Sequence, residues 1–399
     1  MTRTDGPAGR PAILGGPPAF PEGLPLVRPT VPHVDELTED LRRILERRVL
    51  TNGPLVGELE ERAAERLGVP HCVAVASCTA GLMLVAQAAE PPGEVVLPSF
   101  TFAATAHAVV WAGHRPVFAD VDGETLTLSP EAAGRAVSPS TRAIVATHVY
   151  GTPCDVEALR AVALQAGVRL FFDAAHAFGS RRGDVPVGRF GDAEVFSFTP
   201  TKLVVAGEGG LIATPDPELA ERFRIGREYA NPGDYDSRFP GLNARMSELH
   251  AALALRSLAT LDERVARRNE LAARYRSSLA GVPGVSFPHV EPGDTTTFKD
   301  LTILVDPEAF GADAGCLAVA LGAEGIDTRR YYFPPVHLQR AYRGAGGGGE
   351  LAVTEWAAAR VLTLPMWEEM TEAQVDRVAE AIGRIGSWPG VAAACAAAG

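Results

Sequence analysis

Seven short apolar segments separated by helical patterns constrain this chain more than any other feature of its sequence. They predict strands at Val73–Ala76, Glu94–Leu97, Pro116–Asp120, Ala143–Thr147, Val168–Phe172, Ala193–Phe198 and Gly210–Ala213. Intervening patterns predict helices at Thr79–Glu90, Phe102–Ala112 and Asp155–Ala166. Continuously apolar strands that alternate with helices are typical of a parallel sheet covered on both faces. The sequence therefore predicts an α/β fold with a mainly parallel central sheet.

Patterning along the 399 residues predicts a division of the chain into an arm and two domains, because one compact core rarely holds so many residues. Residues 1–30 are rich in Pro and Gly, which indicates an irregular N-terminal arm. Residues 31–255 would form the large domain, and residues 256–399 a smaller C-terminal α/β domain. Helical periodicity across residues 247–280 indicates the connection between the two domains.

The C-terminal third carries three further features. Leu301–Val305 is a predicted strand. The glycine run at 346–349 lacks the lysine and the Ser or Thr of a phosphate-binding loop, so we expect a flexible surface loop. The alanine-rich end, VAAACAAAG, indicates a frayed tail.

Composition excludes several classes of protein. The net charge of −12 disfavours a nucleic-acid-binding protein, which would need a basic face. No apolar run reaches the roughly 18 residues that a membrane helix needs, and the N-terminus lacks an apolar signal-peptide core. The five cysteines are scattered and contain no CxxC pair, so neither a zinc site nor a disulfide framework is indicated. We therefore expect no metal site and a cytoplasmic location.

The lysine count is the most informative part of the composition. Only two lysines occur, Lys202 and Lys299, and arginine carries the remaining basic charge. A guanidinium stays protonated and cannot serve as an amine nucleophile, whereas a desolvated lysine can form a Schiff base. Lys202 follows a predicted strand, which makes it the candidate nucleophile. We expect Lys299 to serve as a neutral control.

Polar and aromatic residues follow four of the predicted strands, at the edge where ligands of such sheets bind. Asp173 could face a ring nitrogen or cap a helix. Lys202 beside Ser197 could be an imine lysine or a solvated loop residue. Ser77, Cys78 and Thr79 begin a helix, which is an anion site or a plain cap, and Phe102 is a stacking ring or a core residue. Together these residues have the chemistry and chain order that a pyridoxal-phosphate site needs.

The sequence resembles the DegT/DnrJ/EryC1/StrS family of sugar aminotransferases from about residue 12 onward. The matching stretches are Asn52-Gly53-Pro54, PSFTFAATAHAVV (98–110), Pro116-Val117-Phe118, FFDAAHAFGS (171–180), GDAEVFSFTPTK (191–202), GEGG (207–210), GLNARMSELHAA (241–252) and TRRYYFPPVHLQ (328–339). The resemblance implies the fold-type I architecture of aminotransferases that depend on pyridoxal phosphate (PLP), with its pyridoxamine form as the other state. It also implies a homodimer that shares its active sites.

The resemblance further implies a role for each matching residue. Lys202 would bind the cofactor as a Schiff base and then move protons. Asp173 would pair with the pyridine nitrogen, and His176 would lie near the phenolic oxygen. The ring would stack on Phe102, and the phosphate would be held by Ser77, Cys78, Thr79 and Ser197, together with Asn243 from the neighbouring subunit. On the substrate side lie Tyr331, Tyr332 and His337, with Arg330 either holding a nucleotide diphosphate or lying on the surface.

The opening LGGPPAF and the NGPLVGELEE segment are most similar to the subgroup that makes 4-amino-4,6-dideoxyhexoses. That similarity implies transfer of the amino group of glutamate to the C4 ketone of dTDP-4-keto-6-deoxyglucose, in deoxysugar and antibiotic biosynthesis. A 3-keto sugar or a cyclitol of the scyllo-inosose type is the alternative acceptor. Two other classes are disfavoured: a dehydratase would have histidine in place of the imine lysine, whereas Lys202 is present, and a non-catalytic regulatory member would have lost cofactor residues that this sequence retains.

Overall fold

The structure is a computed structural model that describes residues 9–344 and 349–398. Its strands are β1 (His71–Val75), β2 (Glu94–Pro98), β3 (Arg115–Ala119), β4 (Thr141–Thr147), β5 (Arg169–Asp173), β6 (Arg181–Arg182), β7 (Val185–Pro186), β8 (Ala193–Ser197), β9 (Gly210–Thr214), β10 (Val285–Ser286), β11 (Leu301–Val305) and β12 (Val361–Leu364). Its α-helices are α1 (Val34–Arg47), α2 (Pro54–Leu67), α3 (Cys78–Gln87), α4 (Ala103–Trp111), α5 (Pro130–Ala136), α6 (Val156–Ala166), α7 (Pro217–Gly226), α8 (Glu248–Leu258), α9 (Leu261–Leu279), α10 (Pro307–Phe310), α11 (Ala314–Ala323), α12 (Ala352–Arg360), α13 (Glu372–Ser387) and α14 (Val391–Ala398). None of these helices is long and apolar enough to cross a membrane.

A seven-stranded sheet in the order β1-β9-β8-β5-β4-β2-β3 forms the centre of the molecule. Strand β9 runs antiparallel to both of its neighbours, and the pairings from β8 to β3 are parallel. The predicted α/β class and mainly parallel sheet are therefore confirmed. The predicted strands lie within about two residues of the observed ones, because the apolar centre of a strand that is buried on both faces marks its position.

Both faces of this sheet are covered by helices. Val145 and Phe171 pack with α3, α4 and α7 on one face. Their chain neighbours Ile144 and Phe172 pack with α5 and α6 on the other, and α2 and α8 cover that second face beside β1 and β9. Side chains alternate between the faces along a strand, so the central positions of β4 and β5 are apolar on both faces.

A second, three-stranded antiparallel sheet in the order β10-β11-β12 packs with α9, α11 and α13. The described part of the N-terminal arm joins this layer, since Ala19 and Leu24 belong to its core. The buried Glu324 carboxylate accepts hydrogen bonds from the backbone of Ala12 at 2.9 Å and of Ala19 at 2.8 Å. The domain boundaries at residues 30 and 255 stay predictions, and residues 1–8 of the arm lie outside the described residues.

Two expectations for the C-terminal half need correction, and a third is not tested. Residues 247–280 form two helices, α8 and α9, which are separated at Ala259 and Thr260. The end of the chain is helix α14, not a frayed tail, because Val391 and Cys395 are buried against the smaller core. Most of the glycine run at 346–349 lies outside the described residues.

A disulfide also joins Cys316 in α11 to Cys395 in α14, where the sequence indicated none. The two cysteines lie 79 residues apart, so no local spacing could reveal the pair. The other cysteines, Cys72, Cys78 and Cys154, are buried thiols.

The segment at residues 295–300 ties the smaller sheet to the turn that follows β5. Backbone hydrogen bonds pair Arg181 with Thr295 in both directions, at 2.8 and 3.0 Å. The Thr297 hydroxyl donates to the His176 carbonyl at 2.6 Å, and the Ser180 hydroxyl donates to the Gly151 carbonyl at 2.6 Å. These bonds fix residues 295–300 above the carboxyl ends of the central strands.

Gly151 allows this close approach, so we predict that Gly151→Ala destabilises the fold. Gly151 has φ +97°, and a Cβ there would lie 2.0 Å from the Thr297 hydroxyl oxygen and 3.0 Å from the His176 carbonyl. We expect a loss of about 2 kcal/mol or more in the free energy of unfolding, because overpacking adds to backbone strain. Urea unfolding of Gly293→Ala is the matched control, since Gly293 has φ +92° and no described atom within 4 Å of its Cβ position. Equal losses in the two variants would contradict the steric argument.

The disulfide predicts a thiol count. A thiol reagent should titrate three cysteines in the unfolded protein without reductant and all five after reduction. The folded protein should react slowly, because the three free thiols are buried. Five reactive thiols in the unreduced, unfolded protein would show that Cys316 and Cys395 are not bonded.

Candidate active site

A cavity of about 350 Å³ lies beyond the carboxyl ends of the central strands. Asp173 ends β5, Ser197 ends β8, and Ser77 directly follows β1. The predicted residues that line the cavity are Ser77, Cys78, Thr79, Phe102, Asp173, His176, Ser197, Lys202, Tyr331 and Tyr332. The topology therefore brings together residues that are up to 255 positions apart in the sequence.

Lys202 is held by the loop between β8 and β9. Its backbone N–H donates to the Thr199 carbonyl at 3.0 Å, and Ala206 closes the loop by donating to Phe198 at 2.7 Å. Burial, together with the positive charge of Lys299, lowers the pKa of the Lys202 amine to about 8. A lysine with this pKa has a sizeable neutral fraction near neutrality, which nucleophilic and proton-transfer chemistry both require.

Asp173 is a buried carboxylate that is hydrogen-bonded on both oxygens. The Thr105 hydroxyl donates to Oδ2 at 2.7 Å, and the Ala175 backbone N–H donates to Oδ1 at 3.1 Å. Burial raises the pKa of Asp173, and these two hydrogen bonds oppose the rise. Thr105 was not predicted, because nothing in the sequence distinguishes it from other threonines on an apolar helix.

The start of α3 forms the anion-binding end of the cavity. The Ser77 hydroxyl accepts the Ala80 N–H at 3.1 Å and so caps the helix, which leaves the first backbone N–H groups for a ligand. Gly210 lies directly beneath, where a Cβ would be 2.7 Å from the Cys78 nitrogen. The Cys78 side chain is buried and its pKa is raised by burial, so its backbone is the part suited to anion binding.

Phe102 precedes α4 and is 61% exposed at the cavity. The alternative that it is a core residue is therefore wrong, and Phe100 occupies the core instead. An aromatic face that is exposed inside a cavity can stack on a planar ring.

His176 faces Asp300, an acidic residue that the sequence analysis did not single out. His176 Nδ1 lies 3.8 Å from Asp300 Oδ2, and neither atom has a hydrogen-bond partner among the described residues. Burial and the charges of Lys202 and Lys299 lower the pKa of His176 well below its ordinary value, which favours a neutral imidazole.

The structure does not support Lys299 as a neutral control. Its side chain is only 7% exposed and lines the same cavity as Lys202. Its Nζ lies 2.6 Å from Asp300 Oδ1. The scarcity of lysine could have pointed to Lys299 as a site residue, since it applies to both lysines equally. Its position depends on the fold of residues 295–300, which the sequence does not reveal.

The remaining predicted residues lie outside the cavity of their own chain. Arg330 donates to the carbonyls of Ala358 at 3.3 Å and Ala359 at 2.9 Å, at the end of α12. His337 Nδ1 lies 2.6 Å from the Ser99 hydroxyl. Asn243 is exposed and accepts a hydrogen bond from Arg245 at 3.1 Å. Their roles stay predictions, and that of Asn243 requires a second subunit.

The residues that line this cavity fit PLP. The capped start of α3 suits a phosphate, Asp173 suits a protonated ring nitrogen, and Phe102 offers a stacking face. Among the described residues that line the cavity, the amines are those of Lys202 and of the ion-paired Lys299. Further cavity residues that the sequence analysis missed are Thr101, Thr147, Thr199, Thr201, Glu208, Lys299 and Asp300.

Residues 33–383 match the model of the DegT/DnrJ/EryC1/StrS aminotransferase family. The spore coat polysaccharide biosynthesis protein SpsC of Bacillus subtilis (strain 168) is 34% identical over 91% of this chain and 96% of its own length. The structure of DesI in the presence of its TDP-sugar product is 41% identical, covers 95% of this chain and 97% of DesI, and superimposes with a TM-score of 0.90. DesV from S. venezuelae is 34% identical, with coverage of 89% and 95% and a TM-score of 0.83.

We predict that Asp173→Asn keeps or increases the stability of the cofactor-free protein while it lowers affinity for PLP. Because burial raises the pKa of Asp173, its ionised form is disfavoured in the folded state and costs stability above the unfolded pKa of about 4. This cost disappears as the pH falls below that value, so the two proteins should converge in acid. Urea unfolding at several pH values and a PLP titration check both parts.

Asp120→Asn is the control for the previous substitution. Asp120 accepts from the backbone of Val353 at 3.0 Å and of Thr354 at 2.7 Å, which caps α12. Asparagine keeps only one of the two acceptor oxygens, so the replacement should cost about 1 kcal/mol and leave PLP affinity unchanged. A large loss of stability in Asp173→Asn would contradict the proposed cost of its buried charge.

Proposed function

Because this chain belongs to the DegT/DnrJ/EryC1/StrS aminotransferase family, whose members are PLP-dependent sugar aminotransferases, we propose that it transfers the amino group of glutamate to the C4 ketone of dTDP-4-keto-6-deoxyglucose. The products would be 2-oxoglutarate and the 4-amino-4,6-dideoxy sugar nucleotide. The observation that carries the proposal is the meeting of Lys202, Asp173 and the start of α3 at one cavity.

Each of these elements has one task in the reaction. Bound PLP supplies an electron sink for negative charge that develops on the neighbouring carbon. The N–H groups at the start of α3 would hold the phosphate, and the Asp173 carboxylate would keep the ring nitrogen protonated. Lys202 Nζ would move the proton between the cofactor carbon and the substrate carbon that carries the amino group. To accept a proton, its amine must be neutral.

The acceptor is proposed from the relatives and from the open side of the cavity. DesI, crystallised in the presence of its TDP-sugar product, is 41% identical to this chain, which supports a nucleotide sugar. Tyr331 and Tyr332 form the cavity wall on the side predicted to meet the substrate. SpsC, by its name, takes part in polysaccharide biosynthesis, whereas we propose deoxysugar biosynthesis for an antibiotic.

We also propose a homodimer in which Asn243 completes the partner's phosphate site. Asn243 is exposed outside the cavity of its own chain. Exposed apolar side chains such as Trp111, at 75%, and Tyr235, at 95%, offer surface for association.

We place the reaction in the cytoplasm, where free glutamate is abundant.

Absorbance spectroscopy of the purified protein with PLP tests both half-reactions. We expect a yellow band that glutamate bleaches and dTDP-4-keto-6-deoxyglucose restores. Bleaching without recovery would identify a transaminase with another acceptor, and 3-keto sugars and cyclitols would be tried next. Absence of the band would contradict the assignment of Lys202.

Lys202→Ala is the variant for the same experiment. It should fold and still bind PLP through the phosphate and ring contacts, but transamination should fall by several orders of magnitude. Near-normal turnover would overturn the mechanism.

A further inference from the structure

Both lysines of this sequence line one cavity, although only one amine is needed to bind the cofactor. A buried lysine is uncommon, because desolvation penalises its charge. Lys299 is 7% exposed and Tyr331 presents its ring 5.7 Å from the ammonium. The chain therefore keeps a second, desolvated amine beside the proposed reactive one.

Asp300 forms an ion pair with this second lysine. Lys299 Nζ lies 2.6 Å from Asp300 Oδ1, and Asp300 is only 4% exposed. The other oxygen, Oδ2, faces His176 Nδ1 at 3.8 Å.

The backbone around Lys299 is fixed from two sides. The Lys299 N–H donates to the Tyr150 carbonyl at 3.1 Å. The buried Arg268 guanidinium donates to the carbonyls of Phe298 at 3.0 Å and Lys299 at 3.2 Å. Phe298 has φ +42°, in the left-handed region that non-glycine residues rarely adopt. These contacts hold Lys299 at the cavity wall, so its charge has a defined position relative to Lys202.

We propose that Lys299 is a positioning residue of the reaction, whose fixed positive charge keeps the free amine of Lys202 in its unprotonated form. The role of Lys299 in catalysis rests on the proposed aminotransferase function. Its electrostatic effect on Lys202 does not depend on that function and is present without cofactor.

The other charged groups around Lys202 act in the opposite direction. Burial is the main cause that lowers the pKa of Lys202, and Lys299 is the largest charge effect in the same direction. The anionic forms of Asp300, Cys78 and Asp173 raise it. The remaining titratable groups among the described cavity residues are the exposed Glu208, the neutral His176, and Tyr331 and Tyr332, whose pKa values are raised by burial.

The lowered pKa of Lys202 matters because an amine that transfers protons must be neutral to accept one. At pH 7.4, an ordinary lysine is neutral in about one molecule in a thousand, whereas a pKa near 8 leaves about a fifth of the molecules neutral. Loss of the Lys299 charge also frees the Asp300 carboxylate to favour protonated Lys202. Both effects reduce the fraction of Lys202 that can accept a proton.

The scarcity of lysine makes a direct measurement possible. Protein labelled with ¹³C at the ε carbon of lysine should give two side-chain NMR signals, and Lys202→Arg assigns the one from Lys299. In Lys299→Gln, Lys299→Met and Lys299→Arg, the remaining signal belongs to Lys202. The pKa of Lys202 is then read by titration of the cofactor-free protein.

We expect the Lys202 pKa to rise by at least half a unit in Lys299→Gln and Lys299→Met, and to stay near the wild-type value in Lys299→Arg, which keeps the charge. An unchanged pKa in both neutral variants would overturn the proposal. Because no substrate or cofactor is present, failure of the proposed transamination would leave this result intact. The Gln variant retains a hydrogen-bonding group for Asp300, which keeps the test available if the Met variant does not fold.

The pH dependence of the glutamate half-reaction gives the second readout. The acid limb of the rate should move to higher pH in Lys299→Gln by the shift measured in the NMR titration. A higher KM for glutamate with an unmoved Lys202 pKa would instead identify Lys299 as a carboxylate-binding residue and overturn the proposal.

Discussion

The attachment of residues 295–300 to the turn after β5 is the constraint on which the cavity depends. Two backbone hydrogen bonds between Arg181 and Thr295, and the bond from Thr297 to the His176 carbonyl, join the smaller sheet to the central one. The contact is possible because Gly151 leaves no side chain in its path. One wall of the cavity therefore comes from a part of the chain remote from the strands that supply its floor.

This wall carries Lys299, whose positive charge acts on Lys202. In the desolvated cavity, Asp173 pays an energetic cost to be ionised, which Thr105 and Ala175 reduce by donating hydrogen bonds. Lys202 gains a lowered pKa from the same burial and from Lys299. The cavity thus favours the neutral amine that the proposed chemistry needs, and it holds Asp173 where the ionised carboxylate costs stability, which is common at functional sites.

Much of the fold could be predicted from sequence because the central strands are buried on both faces. The apolar centres of strands such as β4 and β8 mark them despite polar residues such as Arg142 and Glu194, so the predicted positions lie within about two residues of the observed ones. The break at Ala259 and Thr260 was missed, because helical periodicity continues on both sides of it. Helix α14 was also missed, since its alanine-rich sequence forms a helix by packing on the smaller core.

For the candidate site, the sequence by itself determined the residues that follow the ends of parallel strands, namely Ser77, Phe102, Asp173 and Lys202, because the topology of a parallel sheet brings such positions to one edge. It also determined the α/β class and, by resemblance, the family. Only the tertiary structure decided the partners of those residues. Thr105, Asp300 and Lys299 lie at the cavity through packing between elements distant in the chain, and no local pattern encodes a contact of that kind.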